Sequence, residues 1–445
     1  MILNDEQKKV VYSNEPFLFL LAGAGSGKTR VVVERIKYLI SQGVMPDKIL
    51  AITFTRKASF EMKERIDNKE VHVHTFHQFC YLKLIDYYKE SFKLANEEIE
   101  PFSREELLEI SKHKNNLYLS KRPKKFIEYQ NYLKKNGLKD FDDLILGVYF
   151  KIKGKNHAFS YQYIFIDEFQ DTNHLQYSLL KELIKKDTKV LAVGDPDQSI
   201  YRFRGADSKI IFLYVKDYHA KLYTLSTNYR SRRTILEHAN RLIVRNNRKY
   251  KKELTPTNVE NTHVYNLHFS TEKEEAILIT NLIKLFKSHQ IKDEEIAILY
   301  RNHSRAFELI QHLHYSHISY QTYDDSNEEE KIGVQLLTIH KAKGLEFDAV
   351  IIIGLEHGIL PSIKNHSYME LEEERRLMFV AMTRARHFLY FSSVKKNGDN
   401  HTFTSSQFIS ESGTKTIPGR SINDIISLGD FNGRKAKNSR IDSNH

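Results

Sequence analysis

The stretch Ala22-Gly23-Ala24-Gly25-Ser26-Gly27-Lys28-Thr29 decides the fold of the first half of the chain. An apolar run at residues 17–21 precedes it and an amphipathic segment at residues 30–40 follows it, an order that predicts a strand, a glycine turn and the start of a helix. Glycines lack a β-carbon, so the backbone can curl until successive N–H groups point at one centre, where the helix dipole favours anions. The stretch therefore predicts a phosphate-binding loop.

The end of this loop has the side chains that phosphate chemistry needs. Lys28 would reach the β- and γ-phosphates of a nucleotide, and Thr29 has the hydroxyl that such loops place on Mg²⁺. The pattern is a relaxed form, because Ala22 stands where a glycine is usual, and an ordinary glycine–serine turn is the alternative. The order of strand, loop, Lys-Thr and helix favours the phosphate loop. The predicted nucleotide contacts are Ala22, Gly23, Ala24, Gly25, Ser26, Gly27, Lys28, Thr29 and Arg30.

Composition limits the class of protein. The 445 residues, 40% hydrophobic and 28% charged, are enough for two or more domains with cores of their own. The net charge of +11 favours a polyanionic partner, with nucleic acid the first candidate, although a basic balance can also mean only a solvated surface. A single cysteine excludes an intrachain disulfide, and neither a signal segment nor a run of roughly 20 apolar residues is present. We therefore expect a cytoplasmic protein that does not contact membranes.

Carboxylates follow an apolar strand in the middle of the chain. Residues 49–54 read as a second strand and residues 57–66 as a helix, and this alternation predicts a parallel sheet. The strand at residues 163–166 ends in Asp167 and Glu168, at the sheet edge where ligand chemistry of open α/β sheets takes place. Asp167 is predicted to hold Mg²⁺ and Glu168 to orient and deprotonate the attacking water. The alternative is an acidic turn at the strand end without a catalytic role. The phosphate loop upstream favours the catalytic interpretation.

A second strand end carries amide and aromatic side chains. Residues 190–195 are again an apolar stretch that ends in an aspartate, and Gln198 shortly after them can sense a γ-phosphate. Tyr201 and Phe203 alternate with arginines, an arrangement that suits stacking on unpaired bases. Taken alone, this aromatic pair is more typical of a core.

Two other segments contain side chains of the kinds that functional sites use. His72, His74, His77 and Cys80 resemble metal ligands, but the second ligand pair of a structural zinc site is missing, and a metal is not favoured. Gln7 lies on the first turn of a predicted helix. Its amide matches the donor and acceptor of an adenine edge, while a surface role is the alternative.

The predicted fold class is α/β, with two RecA-like P-loop domains, parallel sheets and a small helical insertion in the first domain. Residues 81–140 are polar and helical and form the insertion, with a basic cluster at residues 121–125 that could contact phosphate. The remaining predicted boundaries are residues 1–80 and 141–215 for the first domain, 216–412 for the second, and 413–445 for a disordered tail.

The motifs in this order resemble the superfamily 1A helicases, the UvrD, Rep and PcrA group. The resemblance covers residues 3 to about 411, and its specificity comes from several separate segments that match in sequence order. Three of them lie in the second half, at residues 228–231 (Asn-Tyr-Arg-Ser), 340–347 (His-Lys-Ala-Lys-Gly-Leu-Glu-Phe) and 380–386 (Val-Ala-Met-Thr-Arg-Ala-Arg). The resemblance implies ATP and Mg²⁺ as cofactors, closure of two domains on ATP, and 3′-to-5′ movement on single-stranded DNA.

The resemblance also implies roles for residues outside the phosphate loop. Gln7 would read adenine, Tyr229 would stack on the base and Glu346 would contact the ribose. Gln198 would sense the γ-phosphate, while Arg230 and Arg384 would act as arginine fingers. The residues implied to line the DNA path are Phe54, His74, Thr75, His77, Tyr201, Phe203 and His340.

The chain departs from that family pattern at two places. Phe203 stands where we expect tryptophan, and a smaller ring can weaken base stacking. Only a short acidic loop at residues 324–331 stands where relatives carry the large 2B subdomain, so 2B is expected to be absent.

Two functions from different classes remain open. The first is a monomeric ATP-dependent helicase or translocase acting on single-stranded DNA and duplex junctions. The alternative is a non-unwinding DNA-stimulated ATPase switch that serves a nuclease or another effector, for example in a defence complex. RNA as the track also remains open, since backbone contacts and stacking discriminate weakly.

Overall fold

The computed structural model describes residues 3–96, 98–117, 121–155, 159–322, 332–363, 367–398 and 401–419. The chain divides into two compact units. The first contains the described residues up to Gly23 and from Gly27 to Leu225, and the second contains Ala24–Ser26 and the described residues from Ser226 onward. The boundary thus falls after Leu225 and not after residue 215, because the strand that ends at Leu225 pairs with a strand of the first unit.

The first unit alternates strands and helices along the chain. Its strands are β1 (Phe17–Ala22), β2 (Ile49–Thr53), β3 (His72–Thr75), β4 (Lys93–Leu94), β5 (Leu138–Lys139), β6 (Tyr163–Ile166), β7 (Lys189–Gly194) and β8 (Lys221–Leu225). Its helices are α1 (Asp5–Val11), α2 (Lys28–Ser41), α3 (Arg56–Ile66), α4 (Phe76–Leu82), α5 (Arg104–Asn115), α6 (Phe126–Lys135), α7 (Phe141–Ile152), α8 (His174–Leu183) and α9 (Lys209–Asp217).

A parallel sheet forms the centre of the first unit. Among the described residues its strand order is β3-β2-β6-β7-β1-β8, and each neighbouring pair is parallel. Strand β1 is apolar throughout and buried from Leu18 onward, as expected for a strand covered on both faces. Helix α2 packs Val31, Val32 and Ile36 into the same core. This arrangement places the carboxyl ends of β1, β6 and β7 at one edge of the sheet.

The predicted helical insertion has a small core of its own. Buried Phe102, Ile110, Tyr129 and Leu133 from the α5 and α6 region pack together, and β4 pairs with β5. Helix α7, which begins after the cap residue Asp140, leads from the insertion back to β6.

The second unit repeats the α/β design. Its strands are β9 (Thr227–Arg232), β10 (Thr255–Asn258), β11 (Val264–Thr271), β12 (Ile296–Tyr300), β13 (Tyr320–Thr322), β14 (Val334–Thr338), β15 (Phe347–Ile352), β16 (Ala385–Lys396) and β17 (Lys415–Pro418). Its helices are α10 (Arg233–Ile243), α11 (Glu272–Ser288), α12 (Phe307–Tyr315), α13 (Tyr368–Met382) and α14 (Gln407–Glu411).

The main sheet of the second unit is also parallel. Over the described residues its order is β13-β14-β12-β15-β16-β11-β17, with parallel pairing throughout. Ile298, Ile351, Tyr390 and other apolar residues of these strands form one core with α11 and α12. The two parallel sheets confirm the prediction of an α/β protein with two RecA-like units.

The structure corrects the predicted start of the tail. Residues 415–418 form the edge strand β17, in which Lys415 pairs with Tyr265 of β11 and Ile417 is buried. Pairing satisfies backbone groups that a disordered segment would leave to water, so the folded part extends beyond residue 413. Residues 420–445 and the acidic loop at 324–331 lie outside the described residues.

No helix in the described part of the chain is both long and apolar enough to cross a bilayer.

Candidate nucleotide and nucleic-acid sites

The phosphate loop requires glycine at specific positions. Gly25 and Gly27 have φ angles of 64° and 81°, in the left-handed region that L side chains rarely adopt. A β-carbon at Gly27 would also lie 3.0 Å from Nε2 of Gln7. Gln7 therefore packs directly against the loop where α2 begins.

Lys28 and Glu168 meet across the edge of the first sheet. Lys28 Nζ donates to Glu168 Oε1 at 2.7 Å, although the two residues lie on different elements of the unit. Burial alone would lower the pKa of Lys28, but Glu168, Asp167 and Asp195 together raise it above its ordinary value. Lys28 therefore stays charged at neutral pH and is surrounded by carboxylates.

Glu168 has a strained backbone. Its φ of 51° is left-handed for a residue with a β-carbon, and such strain is characteristic of functional sites. The backbone N–H of Glu168 donates to Asp167 Oδ1 at 2.9 Å. The turn thus directs two adjacent carboxylates to separate positions.

Gln170 joins the predicted catalytic carboxylate to the predicted phosphate sensor. It is fully buried, its Nε2 donates to Glu168, and its Oε1 accepts from the N–H of Asp195 at 2.8 Å. Gln198 Nε2 donates in turn to Asp195 Oδ2 at 2.6 Å. A β-carbon at Gly194 would lie 2.8 Å from Gln170 Oε1, so this close approach depends on glycine. The network connects Glu168 with Gln198 through Gln170 and Asp195.

Gln7 has a structural role besides the predicted one. Its backbone N–H donates to Asn4 Oδ1 at 2.8 Å, and its Oε1 accepts from the N–H of Asn4 at 3.1 Å, which is a capping box for α1. The carbonyl end of the amide therefore serves the helix, while Nε2 lies beside the phosphate loop.

The residues predicted for Mg²⁺ provide suitable donor atoms. Thr29 lies in the first turn of α2 and Asp167 at the end of β6. Three carboxylates around the single ammonium of Lys28 leave an excess of negative charge, and hydroxyl and carboxylate oxygens are ligands that Mg²⁺ prefers. Mg²⁺ usually keeps several waters, so these two protein ligands fit the ion.

An arginine–glutamate cluster lies in the second unit. Arg230 Nε donates to Glu346 Oε2 at 2.5 Å, and Arg386 Nη1 donates to Glu346 Oε1 at 3.1 Å. Although burial alone would raise the pKa of Glu346, the two guanidinium groups lower it. The cluster borders an open cavity of about 550 Å³, which Tyr229 also lines. Three of the residues predicted to contact nucleotide, Tyr229, Arg230 and Glu346, thus lie together.

Arg384 is placed differently from its neighbours. Its guanidinium is buried and donates to the carbonyl oxygens of Val380 and Leu345, at 3.0 Å in each case. The carbonyl of Arg384 accepts from the N–H of Phe347 at 3.0 Å. Arg384 therefore clamps the backbone on both sides of Glu346.

Aromatic rings form a small exposed platform on the first unit. The rings of Phe54 and Tyr201 stack at 5.1 Å, and Phe203 lies 6.1 Å from Tyr201 with 43% of its surface exposed. The Arg204 guanidinium lies 5.7 Å from both the Tyr201 and Phe203 rings. Phe203 is therefore not a core residue, and the platform has the aromatic and cationic groups that single strands bind.

The histidine segment is largely packed. Burial, with Lys63 and His72, lowers the pKa of His74 to about 4, and burial, with Arg56, lowers that of His77 to about 4 although Asp140 opposes this. Both rings are therefore neutral at pH 7. Thr75 caps α4 by accepting from the N–H of Gln78 at 3.1 Å. Within the described ranges no group of three or more His, Cys, Asp or Glu side chains could hold a metal.

His340 is the predicted DNA-path residue of the second unit. It follows β14 in a turn and is partly buried. His340 therefore follows the carboxyl end of a strand, as the predicted site residues Asp167 and Glu168 do in the first unit.

Comparisons with known protein families give matches to both halves of the chain. Residues 7–204 match the family described as AAA domain, and residues 223–328 and 322–396 match the UvrD-like helicase C-terminal domain. A protein of Mycoplasma pneumoniae described as a probable DNA helicase is 32% identical, over 92% of this chain and 86% of its own. The chain belongs to the UvrD/PcrA-type DNA helicases. It is an ATP-hydrolysing enzyme of that family, as the resemblance of its motifs implies.

Two further relatives are longer than this helicase. The ATP-dependent DNA helicase PcrA of Staphylococcus aureus strain Mu50 is 35% identical over 68% of this chain and 48% of its own. A probable DNA helicase II homolog of Mycoplasma capricolum is 34% identical over 72% of this chain and 52% of its own. The helicase therefore spans about half the length of these two proteins.

Two side chains of the helicase site were not predicted. Gln170 lies within the acidic segment after β6, and its amide gave no signal because the partner strand β7 is distant in the sequence. Arg386 stands two residues after the predicted finger, at the start of β16, and it gave no signal because its partner Glu346 is distant in the sequence.

Proposed function

We propose that this helicase is an ATP-driven motor that moves 3′ to 5′ on single-stranded DNA and opens duplex junctions. The observation that carries the proposal is the Lys28–Glu168 contact of 2.7 Å at the carboxyl edge of a parallel sheet. A phosphate-loop lysine paired with a carboxylate that follows another strand of the same parallel sheet is the arrangement that phosphoryl transfer to water needs.

The chain's own residues divide the chemistry of ATP hydrolysis. Lys28 exchanges Glu168 for the β- and γ-phosphates, and the released Glu168 carboxylate accepts the proton of the attacking water. Thr29 and Asp167 would hold Mg²⁺, which neutralises phosphate charge when bound. Gln198 is hydrogen-bonded to Asp195, Asp195 to Gln170, and Gln170 to Glu168. Contact of the Gln198 amide with the γ-phosphate would therefore influence the position of Glu168.

The proposed coupling of ATP hydrolysis to movement depends on residues of both units. Arg230 and Arg384 are proposed as fingers that complete the site when the two RecA-like units close on ATP, with Gln7 reading adenine, Tyr229 stacking on the base and Glu346 at the ribose. An arginine finger is worth about 10³–10⁵ in rate, so hydrolysis would depend on closure.

The proposed track runs over the aromatic platform. Phe54, Tyr201 and Phe203 offer rings to bases, and sequence-tolerant stacking of this kind contributes about 1–3 kcal/mol per base. His74, Thr75, His77 and His340 are proposed to line the same path. Because His74 and His77 are neutral, they would contribute contact and hydrogen bonds and not charge.

The experiment that tests the proposal measures ATPase activity with single-stranded DNA, with single-stranded RNA and with neither. Strand displacement on 3′-tailed and 5′-tailed duplexes follows. We expect stimulation by DNA and displacement from the 3′ tail. DNA stimulation without displacement of either duplex would favour the alternative, an ATPase switch that serves a nuclease or another effector. Equal stimulation by RNA would remove DNA specificity from the proposal.

A further inference from the structure

One buried amide of the first unit lies where the helical insertion meets the catalytic part. Asn115 ends helix α5 and is 5% exposed. Its Nδ2 donates to Asp142 Oδ1 at 2.9 Å and to Ser111 Oγ at 3.2 Å. Its Oδ1 accepts from Nδ2 of Asn173 at 2.8 Å. Asn115 therefore connects three helices, α5, α7 and the start of α8.

The start of α8 is in turn connected to the catalytic carboxylate. Asn173 caps this helix by accepting from the N–H of Gln176 at 2.9 Å. Two residues before the cap, the N–H of Asp171 donates to the carbonyl of Glu168 at 3.0 Å. A shift of the α8 cap would therefore displace the turn that holds Glu168 in its left-handed conformation.

The aromatic platform is connected to the same point. The N–H of Asp207 donates to the carbonyl of Thr172 at 3.2 Å, and the His174 ring lies 3.2 Å from the Asp207 carboxylate. A β-carbon built on Gly205 would lie 3.5 Å from Cβ of Asn115, and Gly205 ends the short turn that carries Phe203. Asn115 thus lies behind the platform and beside the α8 cap.

The insertion holds Asn115 firmly. The preceding residue, Lys114, is buried and donates to Asp140 at 2.6 Å and to Asp143 at 2.8 Å. These contacts fix the end of α5 to the start of α7. Asn115 is therefore a rigid support and not a mobile surface amide.

We propose that Asn115 is a positioning residue that transmits nucleic-acid binding at the aromatic platform to Glu168. When a base stacks on Phe203, the platform loop is pressed against Asn115, which the insertion holds in place, so the displacement passes through Asp207 to Thr172 and the α8 cap. Without the Asn115 side chain the loop yields towards the gap, less of the displacement reaches the α8 cap, and Glu168 responds less. The inference rests on the proposed function, since it requires ATP hydrolysis that nucleic acid stimulates.

The test compares Asn115→Ala and the similarly sized Asn115→Leu with the wild-type protein. Asn136→Ala is the matched control, because Asn136 lies in the same insertion and its amide donates only to the neighbouring Tyr132 carbonyl in the contacts seen, at 2.8 Å. ATP turnover is measured without DNA and with a saturating single-stranded oligonucleotide, together with the KM for ATP and the Tm.

We expect basal turnover and the KM for ATP to stay within about twofold of the wild-type values, while the DNA-stimulated kcat falls about tenfold. A tenfold fall corresponds to the coupling free energy of one hydrogen-bonded contact. The Asn136→Ala control should keep full stimulation. A double-mutant cycle with Asn173→Ala should give a stimulated kcat no lower than that of Asn115→Ala alone, since both substitutions remove the Asn115–Asn173 hydrogen bond.

Other outcomes overturn the inference. Full stimulation in both Asn115 variants removes Asn115 from the coupling while leaving the proposed function intact. An equal fall of basal and stimulated turnover in the leucine variant, with an unchanged Tm, makes Asn115 part of the hydrolysis site. Wild-type protein whose ATPase does not respond to DNA overturns the proposed function itself.

Discussion

The two residues of the Lys28–Glu168 ion pair have different proposed roles in ATP binding and hydrolysis, and substitutions can distinguish these roles. Lys28→Ala should remove ATP binding or turnover, because the ammonium is proposed to contact the phosphates directly. Glu168→Gln should keep ATP binding and block hydrolysis, since the amide cannot accept a proton from water. Binding of a fluorescent ATP analogue and phosphate release measure the two effects. Equal loss of ATP binding in both variants would contradict this division of roles.

Two neighbouring arginines allow a matched test of the finger. Arg384→Ala should lower kcat for ATP by about 10³, the lower end of the effect of a lost finger. Its buried guanidinium donates to Val380 and Leu345, so the Tm should fall as well. Arg386→Ala, two residues further along the chain, is the comparison, because Arg386 contacts Glu346 but is not a predicted finger.

We expect Arg386→Ala mainly to raise the KM for ATP, since Glu346 loses one of the two guanidinium groups that lower its pKa. Stopped-flow phosphate release and thermal unfolding distinguish these effects. A nearly normal kcat for Arg384→Ala with a 10³ loss in Arg386→Ala would transfer the finger role to Arg386.

The exposed ring of Phe203 has a predictable contribution to DNA binding. Phe203→Ala should lose roughly 1–3 kcal/mol of single-strand affinity with little change in salt dependence, because no phosphate contact is removed. Basal ATPase should survive. Phe150→Ala, on helix α7 with 60% exposure, is the control. Fluorescence anisotropy over a salt series is the measurement, and unchanged affinity for Phe203→Ala would exclude base stacking at this ring.

At the level of elements, the contact between α5 and α7 contains a titratable group. Burial and the neighbouring Asp140 raise the pKa of Asp142 to about 6, while Ser111, Asn115 and Lys114 oppose the shift. A carboxyl group with a raised pKa in the folded state destabilises the protein when ionised. The cost is absent below the unfolded pKa of about 4, grows between pH 4 and 6, and is complete above pH 6.

Asp142→Asn should therefore stabilise the protein at pH 7.5, and its advantage over wild type should shrink towards pH 5. The amide can still accept from Asn115, and Lys114 keeps Asp140 and Asp143 as partners. Thermal unfolding across this pH range measures the difference. Asp187→Asn, at an exposed position, is the control. A constant difference between Asp142→Asn and wild type at every pH would show that the carboxyl does not titrate with folding.

At the level of the whole molecule, the second unit has little room for an extra domain. Only residues 323–333 separate β13 from β14, and independent folding generally needs at least about 40 residues. The 2B subdomain of relatives is expected to be absent at this position. In relatives, as the family resemblance implies, 2B can hold a monomer in an unproductive state and can also grip duplex DNA.

We therefore expect a monomer that moves on single-stranded DNA without that restraint but with low processivity. Single-turnover unwinding of a 3′-tailed duplex, with DNA in excess, measures both properties. Short duplexes should open, and long ones should mostly fail unless a partner protein grips the duplex. Strict dependence on several proteins per DNA, even for a short duplex, would contradict the unrestrained monomer.

Local sequence patterns determined most of the framework. The apolar run before Gly23, the glycines of the loop and the carboxylates after residue 166 predicted β1, the loop and the end of β6, because each depends on residues close in the chain. The start of β17 was missed for the same reason: residues 415–418 contain a single large apolar side chain, Ile417, and their strand depends on the backbone partners that the edge of β11 offers.

By itself the sequence determined the α/β class and the order of the motifs, and it predicted which residues form the phosphate loop. The tertiary structure decided which side chains meet. Pairing of β6 with β7 brings Gln170 to Asp195, the packing of α5 on α8 brings Asn115 to Asn173, and β16 brings Arg386 to Glu346. These partners are distant along the chain, and a hydrogen bond requires its two atoms within about 3 Å. Local periodicity has no information on such distances, which only the packing of sheets and helices sets.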